Sequence, residues 1–421
     1  MEMFSTFLCV SGVLISSGIL RKFSEKPVDE DKRKLDDFFK TTNFCNKKEN
    51  PEFAKVSWVK DCSNFKLFGV NIPIGCDVNV LLRMQYALEN LFKNDIEILY
   101  SNQDYRIKVY KRKLKKAKDY VFNIIKTPDT KHLYITPGVN LEGPMTLNLS
   151  NTLPNILVAG TSGAGKSTLV KSILCQLLDN YTPKELNLIY MDNKGGLESN
   201  FFKNVGHLTY RTKNPHQTIN TLLNLKTEMF RRMELLENQG VSNIVNYNKK
   251  VTENNKLPFI LAVIDELFSF MTLPKSSRNE EEIYTQSVAY STMGEIASMC
   301  RAVGIHLMFC TQRPTNDVIP TFITCNCGLR IGLKTSTEQE SRNIIEQNGL
   351  ELIDSDSIGS GIIKAGETTK FQSFYLTDDM VSDICKKHYS ATKKDVKTAV
   401  LTEEIEIKTN NIDWRNIMRG M

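Results

Sequence analysis

The chain has no internal repeat, no low-complexity tract and no pair of cysteines spaced for a zinc knuckle. Without repeats it is not a solenoid, and without biased composition it is not a disordered scaffold. The closest cysteines, Cys325 and Cys327, have one residue between them, where a knuckle needs about two to four. The ten cysteines are scattered, and Cys175 and Cys310 fall inside apolar stretches, where a thiol behaves as a small hydrophobe. They read as reduced thiols of a cytosolic body. Nor is there a large excess of one charge. Lys and Arg number 54 against 48 Asp and Glu, a net of +6 with a pI near 8.6. That balance is compatible with a nucleic-acid partner without demanding one. With 421 residues, 41% hydrophobic and 24% charged, the composition is that of a globular protein with one large domain and one or two smaller pieces.

The N-terminus departs from a purely soluble pattern. Residues 3–20 carry no charge, and Arg21, Lys22 and Lys26 follow. As a helix this run would be about 27 Å long, short against a hydrocarbon core of about 30 Å. Ser5, Ser11, Gly12, Ser16, Ser17 and Gly18 weaken it further. A cleaved signal peptide needs positive charge ahead of its apolar run, and here the only early charge is Glu2. The basic flank after the run favours an anchor with the body inside the cell, over a terminal helix that docks on the protein. The expectation is a single transmembrane helix in residues 1–22 and a body on the cytoplasmic face of the cell membrane.

Residues 155–168 read NILVAGTSGAGKST. The spacing Gly160-x-x-x-x-Gly165-Lys166-Ser167 lets consecutive backbone N–H groups converge on phosphate oxygens. Lys166 reaches the terminal phosphates, Ser167 ligates Mg²⁺, and the positive end of the following helix adds its dipole. Around the loop, residues 155–159 read as a buried parallel strand. Leu169, Ile173, Leu174 and Leu177 mark a helix over 166–178. The segment predicts a nucleoside triphosphate site made of Gly160, Thr161, Ser162, Gly163, Ala164, Gly165, Lys166, Ser167 and Thr168.

A second constellation is Leu261-Ala262-Val263-Ile264 running into Asp265-Glu266. A carboxylate at the end of a buried strand needs a cation to face. The expected one is the Mg²⁺ held by Ser167, which Asp265 would reach directly or through water. Glu266 is then placed to orient and deprotonate the attacking water, which makes the site hydrolytic. A third element, Thr311-Gln312-Arg313-Pro314, closes a further apolar strand, and Gln312 is the candidate sensor of the γ-phosphate or its water. The plainer alternative is a strand exit stopped by Pro314.

Between these motifs strands and helices alternate, as a parallel sheet covered by helices requires. Strands are expected at 186–192, 259–264, 305–311 and 329–333, helices at 216–238 and 280–302, and a closing hairpin near Gly366. A small α/β unit precedes them, with a helix from the N-cap Asp77 to about residue 92 and strands at 65–72, 96–100 and 105–110. The basic cluster at 111–118 is either a solvated face or a phosphate- or lipid-facing patch. The expected divisions are an anchor at 1–22, a linker at 23–55, the small α/β domain at 56–125, an ATPase motor at 126–378 and a charged tail at 379–421.

Together the strings NILVAGTSGAGKST, IYMDNKGG, FRRMELLENQGVSNIVNYN, LAVIDE, CRAVGIHLMFCTQRPTNDVI and GLRIGL resemble the FtsK/SpoIIIE family of hexameric DNA-pumping ATPases over about residues 133–376. The resemblance implies an α/β fold: a RecA-like P-loop ATPase domain with a mostly parallel sheet, preceded by a small α/β domain. It also implies ATP and Mg²⁺ as cofactors, a homo-hexamer with nucleotide at subunit boundaries, and double-stranded DNA in a central channel. Carried over, Lys166, Asp265 and Glu266 take the phosphate, metal and water-activating roles, and Gln312 the sensor position. A ring ATPase also needs an arginine from its neighbour, for which Arg330, Arg342 and Arg301 are candidates in that order. Lys275 and Arg278 are candidates for a DNA-tracking loop. With at most one span and only a short charged tail after residue 375, the chain looks most like members serving conjugative elements. It would then couple DNA to a relaxase and transfer-channel proteins. The rival is a type VII-like protein-secretion ATPase; those usually string several motors in one chain, whereas this chain has one.

Overall fold

The computed structural model describes residues 29–101, 104–151, 153–268 and 280–390. It divides into two compact units between Arg112 and Lys113.

The first unit begins at α1 (Glu30–Thr41), where the Asp29 carboxylate accepts the N–H groups of Asp31 and Lys32 at 2.9 and 3.2 Å. Four strands, β1 (Lys55–Asp61), β2 (Phe65–Asn71), β3 (Ile96–Ser101) and β4 (Asp104–Tyr110), pair antiparallel in the order β1-β2-β4-β3. Between β2 and β3 lie α2 (Val78–Arg83) and α3 (Gln85–Phe92). Leu35 and Phe39 of α1 are fully buried with Phe68, Leu81, Leu88 and Ile107. From residue 29 onward, then, the expected linker is a structural element. Leu35, Phe38 and Phe39 make one apolar stripe at helical spacing, hidden in sequence among charged neighbours. Asp36 ties the stretch down further by accepting the Val56 N–H at 2.6 Å. Asp77 does cap a helix, accepting the Asn79 N–H at 3.0 Å. The helix breaks at Met84 rather than running on to residue 92. The unit ends at Arg112, ahead of the boundary expected at 125. Residues beyond it bond into the second unit, Phe122 N–H to the Tyr375 carbonyl and Ile125 N–H to Gln176 Oε1, each at 2.9 Å.

In the second unit the elements are β5 (Tyr134–Asn140), β6 (Gly143–Asn148), β7 (Ile156–Ala159), α4 (Lys166–Asn180), β8 (Leu186–Met191) and β9 (Leu208–Thr212). Then come α5 (Pro215–Asn238), α6 (Ile244–Lys250), β10 (Phe259–Ile264), α7 (Glu280–Met299), β11 (Ile305–Thr311) and α8 (Thr321–Asn326). Last are β12 (Leu329–Leu333), α9 (Glu338–Ile345), β13 (Ser360–Ala365), β14 (Glu367–Ser373) and α10 (Asp378–Lys387). One ten-stranded sheet runs β6-β5-β14-β13-β12-β7-β11-β10-β8-β9. From β9 to β12 all neighbours are parallel; from β12 to β6 they are antiparallel.

Strand β7 shows why its sequence is apolar without interruption. Ile156 and Val158 face a core with Leu169, Ile173, Leu174 and Leu177 of α4, while Leu157 and Ala159 face a second core with Leu222 and Met229 of α5 and Met293 and Ile296 of α7. The hairpin at Gly366 is present, with the glycine at φ 86°. It does not end the sheet, because β5 and β6, from before the phosphate loop, extend it. The tail expected from 379 is likewise ordered through α10, where Val381 and Cys385 pack into the α4 core and Asp378 pairs with Lys171 at 3.0 Å. Among the described residues no helix is long and apolar enough to cross a membrane. The anchor expected at 1–22 lies outside those residues.

His306, on β11, gives this core a pH dependence. The ring is fully buried, Nδ1 donates to the Pro154 carbonyl at 2.8 Å, and burial pushes its pKa down to about 4. The folded state holds it neutral while the unfolded chain protonates near 6.5, so its contribution is full above that value and lost as pH falls toward 4. Lowering pH from 7 to 5 should cost about 2 kcal/mol through this group. Urea denaturation at both values checks it: His306→Asn should flatten most of the difference, and an equal slope in the variant would contradict it.

Candidate active site

Strand β7 delivers the chain at Ala159 into the glycine-rich turn. Gly163 and Gly165 sit at φ 82° and 100°, where a side chain would strain the backbone. At Gly165 an added Cβ would also come within 3.0 Å of the Gly359 nitrogen. Neighbours brace the loop on both sides. Thr161 donates its N–H and its hydroxyl to the Lys334 carbonyl at 2.9 and 3.0 Å. Gly359, just before β13, donates its N–H to the Ala164 carbonyl at 2.9 Å. Ser162 and Gly163 stay exposed at the tip, and Ser167 and Thr168 are half-buried in the first turn of α4.

Lys166 and Asp265 form a buried ion pair, Nζ to Oδ1 at 2.8 Å, with each side chain 3% exposed. Strand β10 places Asp265 there, since its N–H continues the ladder to the Met191 carbonyl at 2.9 Å. Burial raises the Asp265 carboxyl above its ordinary range, and the Lys166 ammonium opposes that. Burial alone would depress Lys166, but Cys310 and the nearby carboxylates of Asp265 and Glu266 outweigh it and hold the ammonium above its usual value. Among the described residues no three His, Cys, Asp or Glu side chains gather as a metal cluster. A Mg²⁺ ion that takes most of its oxygens from phosphate and water needs only one or two from protein. The buried Asp265 carboxylate and the Ser167 hydroxyl at the loop's end fit that need.

Glu266 is 6% exposed and takes φ 150°, a conformation rare for a residue with a side chain. Its Oε1 accepts the Thr311 hydroxyl at 2.9 Å and the Gln312 N–H at 3.4 Å, and its Oε2 meets Lys194 Nζ at 3.0 Å. The ends of β8, β10 and β11 thus converge on one carboxylate. Gln312 reaches this cluster through its backbone, and the Arg313 guanidinium lies over the Phe268 ring, 4.1 Å from its centroid.

Arg330 stands elsewhere. It lies on β12 with its side chain 10% exposed, and donates to the carbonyls of Thr324, Cys327 and Ile344 and to Glu346 Oε1 at 2.9 Å. A guanidinium bound so fully inside its own subunit cannot reach a neighbour's nucleotide, which corrects its assignment as the arginine acting across the ring. Arg342, 44% exposed and paired with Glu338 at 3.0 Å, and the exposed Arg301 keep their side chains at the surface. Lys275 and Arg278 fall outside the described residues. Lys194 and Thr311 are the residues that sequence reasoning passed over. The charged turn Asn193-Lys194-Gly195-Gly196 at the end of an apolar strand was the available signal.

Residues 129–316 match the model of the FtsK/SpoIIIE family. The chain carries an FtsK/SpoIIIE domain. The DNA translocase FtsK of Campylobacter jejuni is 36% identical over 234 residues, covering 55% of this chain and 23% of that protein. Its namesake from Staphylococcus epidermidis is 32% identical over 273 residues, covering 62% of this chain and 32% of that protein. The chain therefore spans a third or less of the length of these relatives. Among solved structures, the pCW3 conjugation coupling protein TcpA, a monomer form with ATPγS, superposes with a TM-score of 0.59 at 22% identity, over 85% of this chain and 99% of that one. The cytoplasmic domain of the Thermomonospora curvata type VII secretion ATPase EccC gives 0.53 at 20%, over 63% of this chain and 32% of that one. At such identities the likeness is one of fold, a mixed α/β P-loop ATPase architecture. The FtsK/SpoIIIE domain holds the phosphate loop, Lys194, Asp265, Glu266 and Thr311. The residues bracing the loop from outside, Lys334 and Gly359, lie beyond its matched range.

Proposed function

We propose that this protein hydrolyses ATP to move double-stranded DNA, as the motor of a conjugative transfer system at the cytoplasmic face of the cell membrane. One observation carries the reading: a buried glutamate follows the aspartate that pairs with the phosphate-loop lysine, inside a domain 36% identical to a DNA translocase. In the mechanism, the backbone N–H groups of Ser162, Gly163 and Gly165 donate to phosphate oxygens, and Lys166 leaves Asp265 for the terminal phosphates. Ser167 and Asp265 would hold Mg²⁺, which would supply charge neutralisation at those oxygens. Glu266 takes the proton of the water whose oxygen attacks the γ-phosphorus, and the bond to the bridging oxygen of ADP breaks. Gln312, bonded to Glu266 through its own N–H, is placed to pass that change to the strand exit at Arg313. A homo-hexamer would put Arg342 or Arg301 at the neighbouring nucleotide and DNA in its channel.

The conjugative assignment draws on layout. TcpA matches over nearly its whole length, whereas the EccC structure extends well beyond the match. This chain divides into a smaller unit and a larger one that holds the phosphate loop. An anchor in residues 1–22 would keep the motor beside a transfer channel and its relaxase. The type VII-like alternative shares the motor fold and differs in taking a polypeptide.

Displacement of a triplex-forming oligonucleotide from linear duplex tests the reading. The full chain should strip the third strand with ATP and not with ATPγS, and Lys166→Ala should leave it in place. No displacement on any duplex, with ATP turnover intact, would move the assignment to the secretion alternative.

A further inference from the structure

The glutamate that follows β10 has both oxygens engaged. Oε1 accepts the Thr311 hydroxyl and the Gln312 N–H, and Oε2 faces the Lys194 ammonium at 3.0 Å. A general base needs a lone pair free for the proton it takes, and a cation at contact distance occupies one. Lys194 is well placed to come and go. It is 41% exposed, while Glu266 is 8% exposed in its side chain and held by a backbone at φ 150°. The lysine sits on a turn whose root is fixed. Asp192, fully buried, accepts the N–H groups of Lys194 and Ser199 at 3.1 Å each, and Asn193 Oδ1 accepts the Thr218 hydroxyl at 2.9 Å. Beyond that root the turn passes through Gly195 and Gly196 at φ 82° and 81° and reaches Leu197, 77% exposed. An anchored base with a solvent-facing tip gives the lysine arm a defined resting place and a route by which something touching the tip could withdraw it.

We propose that Lys194 is a latch: its ammonium holds Glu266 in a resting state, and engagement of the turn at 193–199 by duplex DNA withdraws it to permit hydrolysis. This rests on the hydrolytic reading of Glu266 given above. Lys194 touches neither substrate nor the reacting atoms in this scheme; it is a positioning residue that acts through Glu266. The latch is weak by design, since a half-exposed ion pair shifts an equilibrium by only a few-fold.

The test uses the full chain and its Lys194→Met and Lys194→Arg variants, with ATP turnover measured without and with duplex DNA. The latch predicts that Lys194→Met raises DNA-free turnover by about two- to fivefold and shrinks the DNA stimulation by the same factor. Lys194→Arg should restore the wild-type values. Loss of turnover in Lys194→Met, or no change, overturns the latch. A second arm reads the ion pair without catalysis. Acylation of Lys194 by an N-hydroxysuccinimide ester, followed by mass spectrometry, should speed up in Glu266→Gln relative to the wild-type protein. Equal labelling means the pair does not form in solution and also overturns the latch. A wild-type chain with no ATP turnover at all would instead remove the hydrolytic reading, while the labelling arm still reports on the pair.

Discussion

Glu266→Gln binds ATP with wild-type affinity and turns it over about 10²–10⁴-fold more slowly, the usual loss when a positioned general base is removed. The amide keeps the size of the carboxylate and can still accept the Thr311 hydroxyl through its oxygen, so the strand ends around it should hold. What it lacks is the basicity to take a proton from water and the charge to pair with Lys194. Equilibrium binding of a fluorescent ATP analogue beside steady-state phosphate release separates the two effects. Weakened binding with turnover reduced only in proportion would make Glu266 part of the nucleotide cradle and not the base.

Lys166→Ala has the second large effect, and it acts on stability as well as turnover. The ammonium is the close cation of a buried carboxylate. Removing it should abolish phosphate release and, by leaving Asp265 uncompensated, destabilise the fold by about 3–5 kcal/mol. Asp265→Asn added to Lys166→Ala should recover most of that stability without recovering turnover, because the buried charge is then gone from both sides. Denaturant melts of the two single variants and the double variant give the coupling directly. Additive losses would mean that the pair contributes nothing as a pair.

The same pair shows what a sequence can and cannot reveal. The phosphate loop and the acid following β10 were legible because each sits at the end of an unbroken apolar run, which marks a strand buried on both faces. Strands at 259–264, 305–311 and 329–333 came from that signal and stand at those bounds in the structure. That Lys166 would rest on Asp265 at 2.8 Å was not legible, since it depends on which strands lie side by side. Arg330 failed for a related reason. It was a candidate because a ring ATPase needs an arginine from its neighbour, yet three carbonyls and Glu346, all from the nearby α8 and α9 segments, converge on its guanidinium and hold it within its own subunit. In the first unit, α1 was hidden because Leu35, Phe38 and Phe39 stand among charged residues, and periodicity, rather than mean polarity, identifies such a helix. Lys194 lay in a quoted motif, but only the fold brings its turn to Glu266.

A hydrolytic centre that answers to DNA needs both this phosphate loop and its glutamate. Phosphate release by the full chain at saturating ATP, without and with linear duplex, tests it most directly. The rate should be low alone and rise several-fold or more with duplex, and Lys166→Ala should abolish it. A rate that ignores every form of DNA, or one that survives loss of Lys166, would contradict it.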